Sequence, residues 1–254
     1  MITSIQNEKV KLAKMLQGAA KIRRKEGLMV LEGLRLVRDA LLTGHQPLFL
    51  LHTTAFHDDT IATTVRDKRL ELLEVTDAVM AHASDTQQPQ GILGVFPLPS
   101  PDLPAQLKHL LILDSIRDPG NLGTILRTAA AAGVNAVLLS PTCTDAYAPK
   151  VLRSGMGAHF RIPLAALSWD DIRYHTQGKK IYIADGSGEM RYNEADWSTG
   201  WAIIIGSEAH GAGEDAASLA AQRINIPMAA DTESLNAAIA AGIILFEALK
   251  GNHQ

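Results

Sequence analysis

Short, largely apolar runs mark the second half of this chain. Leu110–Leu113, Ala136–Leu139, Lys180–Ala184, Ala202–Ile205 and Ile224–Ile226 each predict a buried strand. The stretches between them predict helices. Thr124–Ala132 is rich in alanine, the strongest helix former. Another helix begins near Ser168, whose hydroxyl can cap it; Asp170 and Asp171 complement its positive end and Gly178 stops it. The last, Ser234–Leu249, is apolar on most faces, a pattern that predicts burial against a second subunit as well as the sheet. Strand–helix alternation of this kind predicts an α/β domain with a parallel sheet.

The first part has a different rhythm. Glu8–Ala19 has helical periodicity through Val10, Leu12, Met15 and Leu16. Leu28–Leu31, Pro47–Leu51, Leu70–Val75 and Gly91–Phe96 read as strands, and Leu34–Leu42 as a helix with Gly44 as its C-cap. Pro97, Pro99, Pro101 and Pro104 then follow in close succession. Such a segment suits neither a helix nor a central strand and acts as a semi-rigid spacer. The expected organisation is a domain over residues 1–96, a proline-rich linker over 97–108 and a second domain over 109–254.

Composition narrows the function classes. The chain has 254 residues, 46% hydrophobic and 20% charged, with a net charge of −3. Any nucleic-acid binding therefore comes from a local basic patch. The single cysteine, Cys143, excludes an internal disulfide framework and a multi-cysteine zinc site. His45, His52 and His57 lie in one stretch, but no cysteine or acidic cluster completes a metal site there. No run approaches the ~18 apolar residues of a membrane span, and the N-terminus is unlike a secretory signal, so the cytoplasm is the expected location.

Three segments carry candidate chemistry. The first is Asp114-Ser115-Ile116-Arg117-Asp118-Pro119-Gly120-Asn121-Leu122-Gly123-Thr124-Ile125-Leu126-Arg127, a strand end, a Pro/Gly turn and a helix. It places Asn121 in the turn and Arg127 just after it, at the sheet edge where open α/β folds bind ligands. The second runs from the strand Ile203-Ile204-Ile205 into Gly206-Ser207-Glu208-Ala209-His210-Gly211. The third is Ile226-Pro227-Met228, followed by Thr232-Glu233-Ser234-Leu235-Asn236. Neither glycine turn has the Gly-Lys-Ser/Thr ending of a phosphate loop or the Gly-x-Gly-x-x-Gly of a nicotinamide enzyme.

In this order and spacing, the three segments resemble the motifs of the SpoU/TrmH family of RNA ribose 2′-O-methyltransferases. The resemblance covers about residues 110–249. It implies a SPOUT-type domain with a deep trefoil knot, S-adenosylmethionine as methyl donor, no metal, and a homodimer formed through the C-terminal domain. Arg127 matches the motif-one arginine. A guanidinium is a poor base because its pKa exceeds about 12; phosphate binding and stabilisation of developing alkoxide charge suit it better. Asn121 can fix both the arginine and the ribose, since it donates and accepts. Glu208 matches the motif-two glutamate and would orient Arg127 or the ribose. Ser234 and Asn236 match motif three, with Ser234 also suited to capping the last helix. By the same resemblance, Gly206, Ile226, Met228 and Leu235 would hold the cofactor and Leu139 would line the same pocket. His210 receives no role.

Lys9, Lys11, Lys14, Lys21, Arg23, Arg24 and Lys25 form a basic cluster in the first part. Such a cluster neutralises phosphates and makes binding salt-dependent. Arg23-Arg24, Met29-Val30-Leu31-Glu32-Gly33, Arg35 and Gln90-Gly91-Ile92 resemble the substrate-binding domain attached to many SpoU enzymes, a small α/β domain similar to an RNA-binding ribosomal protein. Lys21, Arg23, Arg24, Lys25 and Arg35 are the expected RNA contacts. The substrate implied is structured RNA, ribosomal (23S-type) first and tRNA second. The rival is a non-catalytic RNA-binding protein on the same fold.

Overall fold

The structure, a computed structural model, describes residues 1–100, 102–207, 211–229 and 234–251. Its first elements are α1 (Glu8–Gly18), α2 (Ala20–Glu26), β1 (Leu28–Glu32), α3 (Leu34–Leu42), β2 (Phe49–Thr53), α4 (Asp59–Lys68), β3 (Leu72–Val75), α5 (Asp77–Ala83) and β4 (Ile92–Pro97). Next come β5 (His109–Leu113), α6 (Pro119–Ala131), β6 (Ala136–Leu139), α7 (Pro149–Gly155), a 3-10 turn at Ala158–Phe160, β7 (Leu164–Ala166) and α8 (Trp169–Thr176). The chain continues through β8 (Lys180–Ala184), β9 (Met190–Arg191), β10 (Trp201–Ile205), α9 (Glu214–Leu219), β11 (Gln222–Asn225) and α10 (Ala237–Gly251).

The chain divides into two compact units, residues 1–100 with 145–160 and residues 101–144 with 161–254. The first unit is therefore discontinuous in sequence, and 145–160 pack with it although they fall within the stretch 109–254. Pro97 is the last residue of β4, paired with Leu28 of β1 and past the end of the pairing with β2, rather than the first residue of a spacer.

In the first unit the sheet runs β1-β4-β2-β3; β4 is antiparallel to both β1 and β2, and β2 and β3 are parallel. Alternate residues feed two cores, as the two-residue period of a strand requires. Val30, Phe49, Leu51, Leu93 and Val95 meet Val10 and Leu16 of α1 and Val79 and Met80 of α5. Met29, Leu31, Leu50, Ile92 and Phe96 meet Leu36 and Val37 of α3, Ile61 of α4 and Leu152 of α7. Helices on both faces explain the apolar stretches Leu28–Leu31, Phe49–Leu51 and Ile92–Phe96.

The second unit holds a seven-stranded sheet in the order β7-β6-β5-β10-β8-β11-β9, with parallel pairing throughout. Leu110, Ile112, Leu138, Ile183, Ala202 and Ile204 pack on one face with Ile172 of α8 and Ala216 of α9. α6 and α10 pack against each other. β7 and β9 are three and two residues long, too short to leave a period in the sequence.

Local expectations met different fates. Ser168 does cap α8, accepting from the Asp171 amide at 3.2 Å. The basic stretch 20–26 is a separate helix, because Ala19 is extended (φ −133°) and interrupts α1 and α2. The helix expected to begin at Thr124 begins at Pro119. Asp118 is its N-cap and proline occupies the first turn, where a missing N–H costs no hydrogen bond.

Candidate active site

The sheet places the carboxyl ends of β5, β10, β8 and β11 side by side. Asp114 follows β5 directly and is buried. Its carboxylate accepts hydrogen bonds from Ser140 Oγ at 2.9 Å, Ser115 Oγ at 3.2 Å and the Gly213 amide at 2.7 Å. The last bond anchors the loop after β10 to the start of the first motif. Ser115 has φ +57°, a left-handed value uncommon for a side chain other than glycine. Ser207 and Gly211 exchange backbone hydrogen bonds, both 2.9 Å. Glu208 lies outside the described residues.

The start of α6 puts Asn121 in the first helical turn rather than in a loop. Its amide is held by Asp118 Oδ1 at 2.8 Å. Asn236 precedes α10 and caps it, its Oδ1 accepting from the Ala238 and Ile239 amides at 3.0 and 3.3 Å. The capping role considered for Ser234 thus belongs to Asn236, which stands next to the first helical residue, whereas Ser234 is three residues short of it. The Asn236 Nδ2 then donates to Asn121 Oδ1 at 3.0 Å. Two motif residues 115 positions apart are joined directly. Arg127 is exposed on α6 and forms no hydrogen bond or ion pair with the described residues. It lies six residues beyond Asn121, about 9 Å along the helix axis.

A cavity of about 440 Å³ opens beside these loops. Ile183, Ile205, Ile224, Ile226, Leu235 and Ile244 supply its apolar wall, and Gly206, Met228 and Ser234 also line it. Four of the five expected cofactor residues are therefore on one surface. Leu139 is the exception. It ends β6, which is separated from β10 by β5, and its side chain is buried without reaching the cavity. Sequence reasoning missed Asp185 and Gly186, which follow β8, and Arg223 on β11; all three line the cavity. The Asp-Gly-Ser-Gly turn after the strand Lys180–Ala184 was the available signal. Cavities of about 300–1,000 Å³ with mostly apolar walls and a few placed polar groups suit cofactors. The wall fits an adenosine, and the charges of Asp185 and Arg223 fit a polar tail.

The backbone itself requires a glycine at 206. A Cβ there would stand 2.3 Å from the Ala212 nitrogen and the Gly211 carbonyl carbon. The glycine permits the chain to fold back on itself, and its first conflict is with backbone rather than with a ligand.

Among the expected RNA contacts, Lys21, Arg24, Lys25 and Arg35 are exposed. Arg23 is not available as an RNA contact. It is 4% exposed and its guanidinium is spent internally. Nη2 and Nε meet Asp145 Oδ2 at 2.6 and 2.7 Å, and Nη1 donates to the Leu16 and Gln17 carbonyls. Among the described residues no cluster of three or more His, Cys, Asp or Glu is arranged to hold a metal ion. None of their helices is long and apolar enough to cross a membrane.

The site is thus an apolar cavity and a pair of bonded asparagines at the carboxyl edge of a parallel α/β sheet. The SpoU rRNA Methylase family matches residues 108–246, and an MRM3-like substrate binding domain matches residues 7–94. This chain belongs to the SpoU rRNA methylase family. It is 34% identical to the 23S rRNA (guanosine(2553)-2′-O)-methyltransferase RlmP of Bacillus subtilis, over 96% of this chain and 97% of that protein. It is 36% identical to the mitochondrial rRNA methyltransferase 3 of Xenopus tropicalis, over 89% of this chain and 71% of the relative. The crystal structure of an AdoMet-bound rRNA methyltransferase from Sinorhizobium meliloti superposes with a TM-score of 0.87 at 32% identity, covering 98% of this chain and 97% of that one.

Proposed function

We propose that this protein methylates a ribose 2′-hydroxyl of large-subunit ribosomal RNA, with S-adenosylmethionine as donor. The observation that carries the proposal is the Asn236–Asn121 hydrogen bond, which joins the first and third motifs beside the cavity. Bound in that cavity, S-adenosylmethionine supplies a methyl group activated by its sulfonium. The remaining work falls to the chain. Gly206, Ile226, Met228 and Leu235 hold the donor. Asn121 and Asn236, each fixed by a helix start, orient the ribose, with Ser234 at the same wall. Arg127, exposed and uncommitted among the described residues, binds the neighbouring phosphate and meets the negative charge that grows on the ribose oxygen. Glu208 orients Arg127 or the ribose. Positioning of this kind supplies several kcal/mol of the barrier, about 7–11 at its upper range.

The unit that holds residues 1–97, with 145–160 packed into it, serves as the RNA-binding part, and the unit that holds the rest of 109–254 as the catalytic part. Lys21, Arg24, Lys25 and Arg35 face solvent, which supports a role in phosphate binding. The catalytic part is read as a knotted domain, a reading supported by its membership of the SpoU rRNA methylase family. Ile239 and Phe246, 55% and 46% exposed and seven residues apart, form an apolar stripe on α10 that supports a homodimer through this helix. The cytoplasm is the proposed place of action.

Calorimetry with a chelator present tests the donor, and mapping of 2′-O-methyl sites on ribosomal RNA with and without the gene tests the acceptor. Binding without metal and loss of one ribosomal site are the expected results. Loss of a tRNA site instead would move the substrate to tRNA. Failure to bind both the donor and its demethylated product would leave an RNA-binding protein without catalysis.

A further inference from the structure

We propose that Asp185 and Arg223 form the subsite for the amino-acid end of the methyl donor, Arg223 taking its carboxylate and Asp185 its ammonium. The inference rests on the cofactor reading above and deepens it.

Among the described residues that line the cavity, Asp185 and Arg223 carry the only charged side chains. The rest of the wall is apolar or glycine and serine, suited to adenine and a thioether. A donor with a zwitterionic tail needs one positive and one negative partner close together, and this ion pair presents both. Asp185 is held in place before any ligand arrives. Its Oδ1 accepts from the Ser187 amide at 2.9 Å and the Ser187 hydroxyl at 2.8 Å, and its Oδ2 meets Arg223 Nη1. Those bonds, the Ser187 amide foremost, hold its carboxyl below the usual carboxylate range and keep it charged. Arg223 spends one nitrogen on this pair. Its Nε and Nη2 make no hydrogen bond with the described residues, which leaves part of the guanidinium fork for a carboxylate.

A purely structural clamp between β8 and β11 is a weaker account. The strands already pair through their backbones, and the Asp185 amide donates to the Ile224 carbonyl at 2.9 Å. An exposed ion pair adds little to that, and the Arg223 side chain is 55% exposed.

The test compares two ligands by calorimetry on the full chain. S-adenosylhomocysteine keeps the amino-acid tail; 5′-methylthioadenosine has the same adenosine and thioether without it. Asp185→Asn and Arg223→Gln should each weaken S-adenosylhomocysteine by about tenfold or more, while 5′-methylthioadenosine stays within about twofold of wild type, since one charge-assisted hydrogen bond is at stake. Arg223→Lys, a mild change that preserves the charge, should recover part of the loss and provides the measurement if the glutamine variant does not fold. Equal weakening of both ligands, or of neither, overturns the proposal while leaving the cofactor reading in place. A wild-type chain that binds neither ligand overturns both.

Discussion

Asp145→Ala should strand a buried charge. The Arg23 side chain is 5% exposed and the Asp145 side chain 13%, and two guanidinium nitrogens lie 2.6 and 2.7 Å from one carboxylate oxygen. Removing one member of such a pair costs about 3–5 kcal/mol, because the other stays desolvated without compensation. The Leu16 and Gln17 carbonyls still accept from Nη1, which places the expected loss near the lower end, about 3 kcal/mol. Against a typical domain stability of about 5–15 kcal/mol, that is readily measured by urea titration. Replacing both partners by apolar residues, Arg23→Met with Asp145→Leu, should cost less than the single change, since a buried pair as a whole contributes little net stability. A loss below about 1 kcal/mol for Asp145→Ala, the range of solvated pairs, would refute the assignment of Arg23 as a structural residue. The same variants separate structure from RNA binding. The double replacement should leave the salt dependence of RNA affinity unchanged. Arg24→Gln with Lys25→Gln should lower its slope, by roughly 0.7–0.9 for each phosphate no longer neutralised.

Three further outcomes are expected. Arg127→Ala should fold and bind S-adenosylhomocysteine normally while single-turnover methylation falls by about 10²–10³, and a near-wild-type rate would remove Arg127 from the chemistry. Gly206→Ala should cost about 1–3 kcal/mol through overpacking and weaken cofactor binding as the Gly211–Ala212 backbone gives way; thermal melting and calorimetry that both match wild type would contradict this. Burial lowers the His159 pKa to about 4, with Nε2 bonded to the Ala146 carbonyl and Nδ1 without a partner among the described residues. Above the unfolded value of about 6.5 the ring is neutral in both states. Between about 6.5 and 4 only the unfolded chain takes the proton, so stability should fall with pH by about 3 kcal/mol across that window. His159→Phe should lose that part of the slope, and an unchanged pH profile would show that His159 does not cause it.

The sequence by itself determined the elements whose signals are local. Leu110–Leu113 and Ala202–Ile205 are apolar without interruption because parallel strands are covered on both faces, so their runs could be read directly. Ser168 could be read as a cap because a cap acts within three residues. The three motifs also identified Gly206, Ile226, Met228 and Leu235, which do share one cavity wall. Tertiary structure decided the rest. Arg23 reads as one of a cluster of cations, and only the return of Asp145 from far along the chain makes it a buried structural group. Leu139 reads as a pocket residue until the strand order puts β5 between it and β10. Asp185 and Arg223 lie 38 positions apart and meet because β8 and β11 are neighbours. The Asn121–Asn236 bond likewise exists only because α10 comes to rest against α6. Hydrophobic period and capping chemistry act over a few residues and leave their mark in sequence. Burial of a charge, the membership of a cavity and a bond between distant side chains depend on where the chain returns, which no local pattern records.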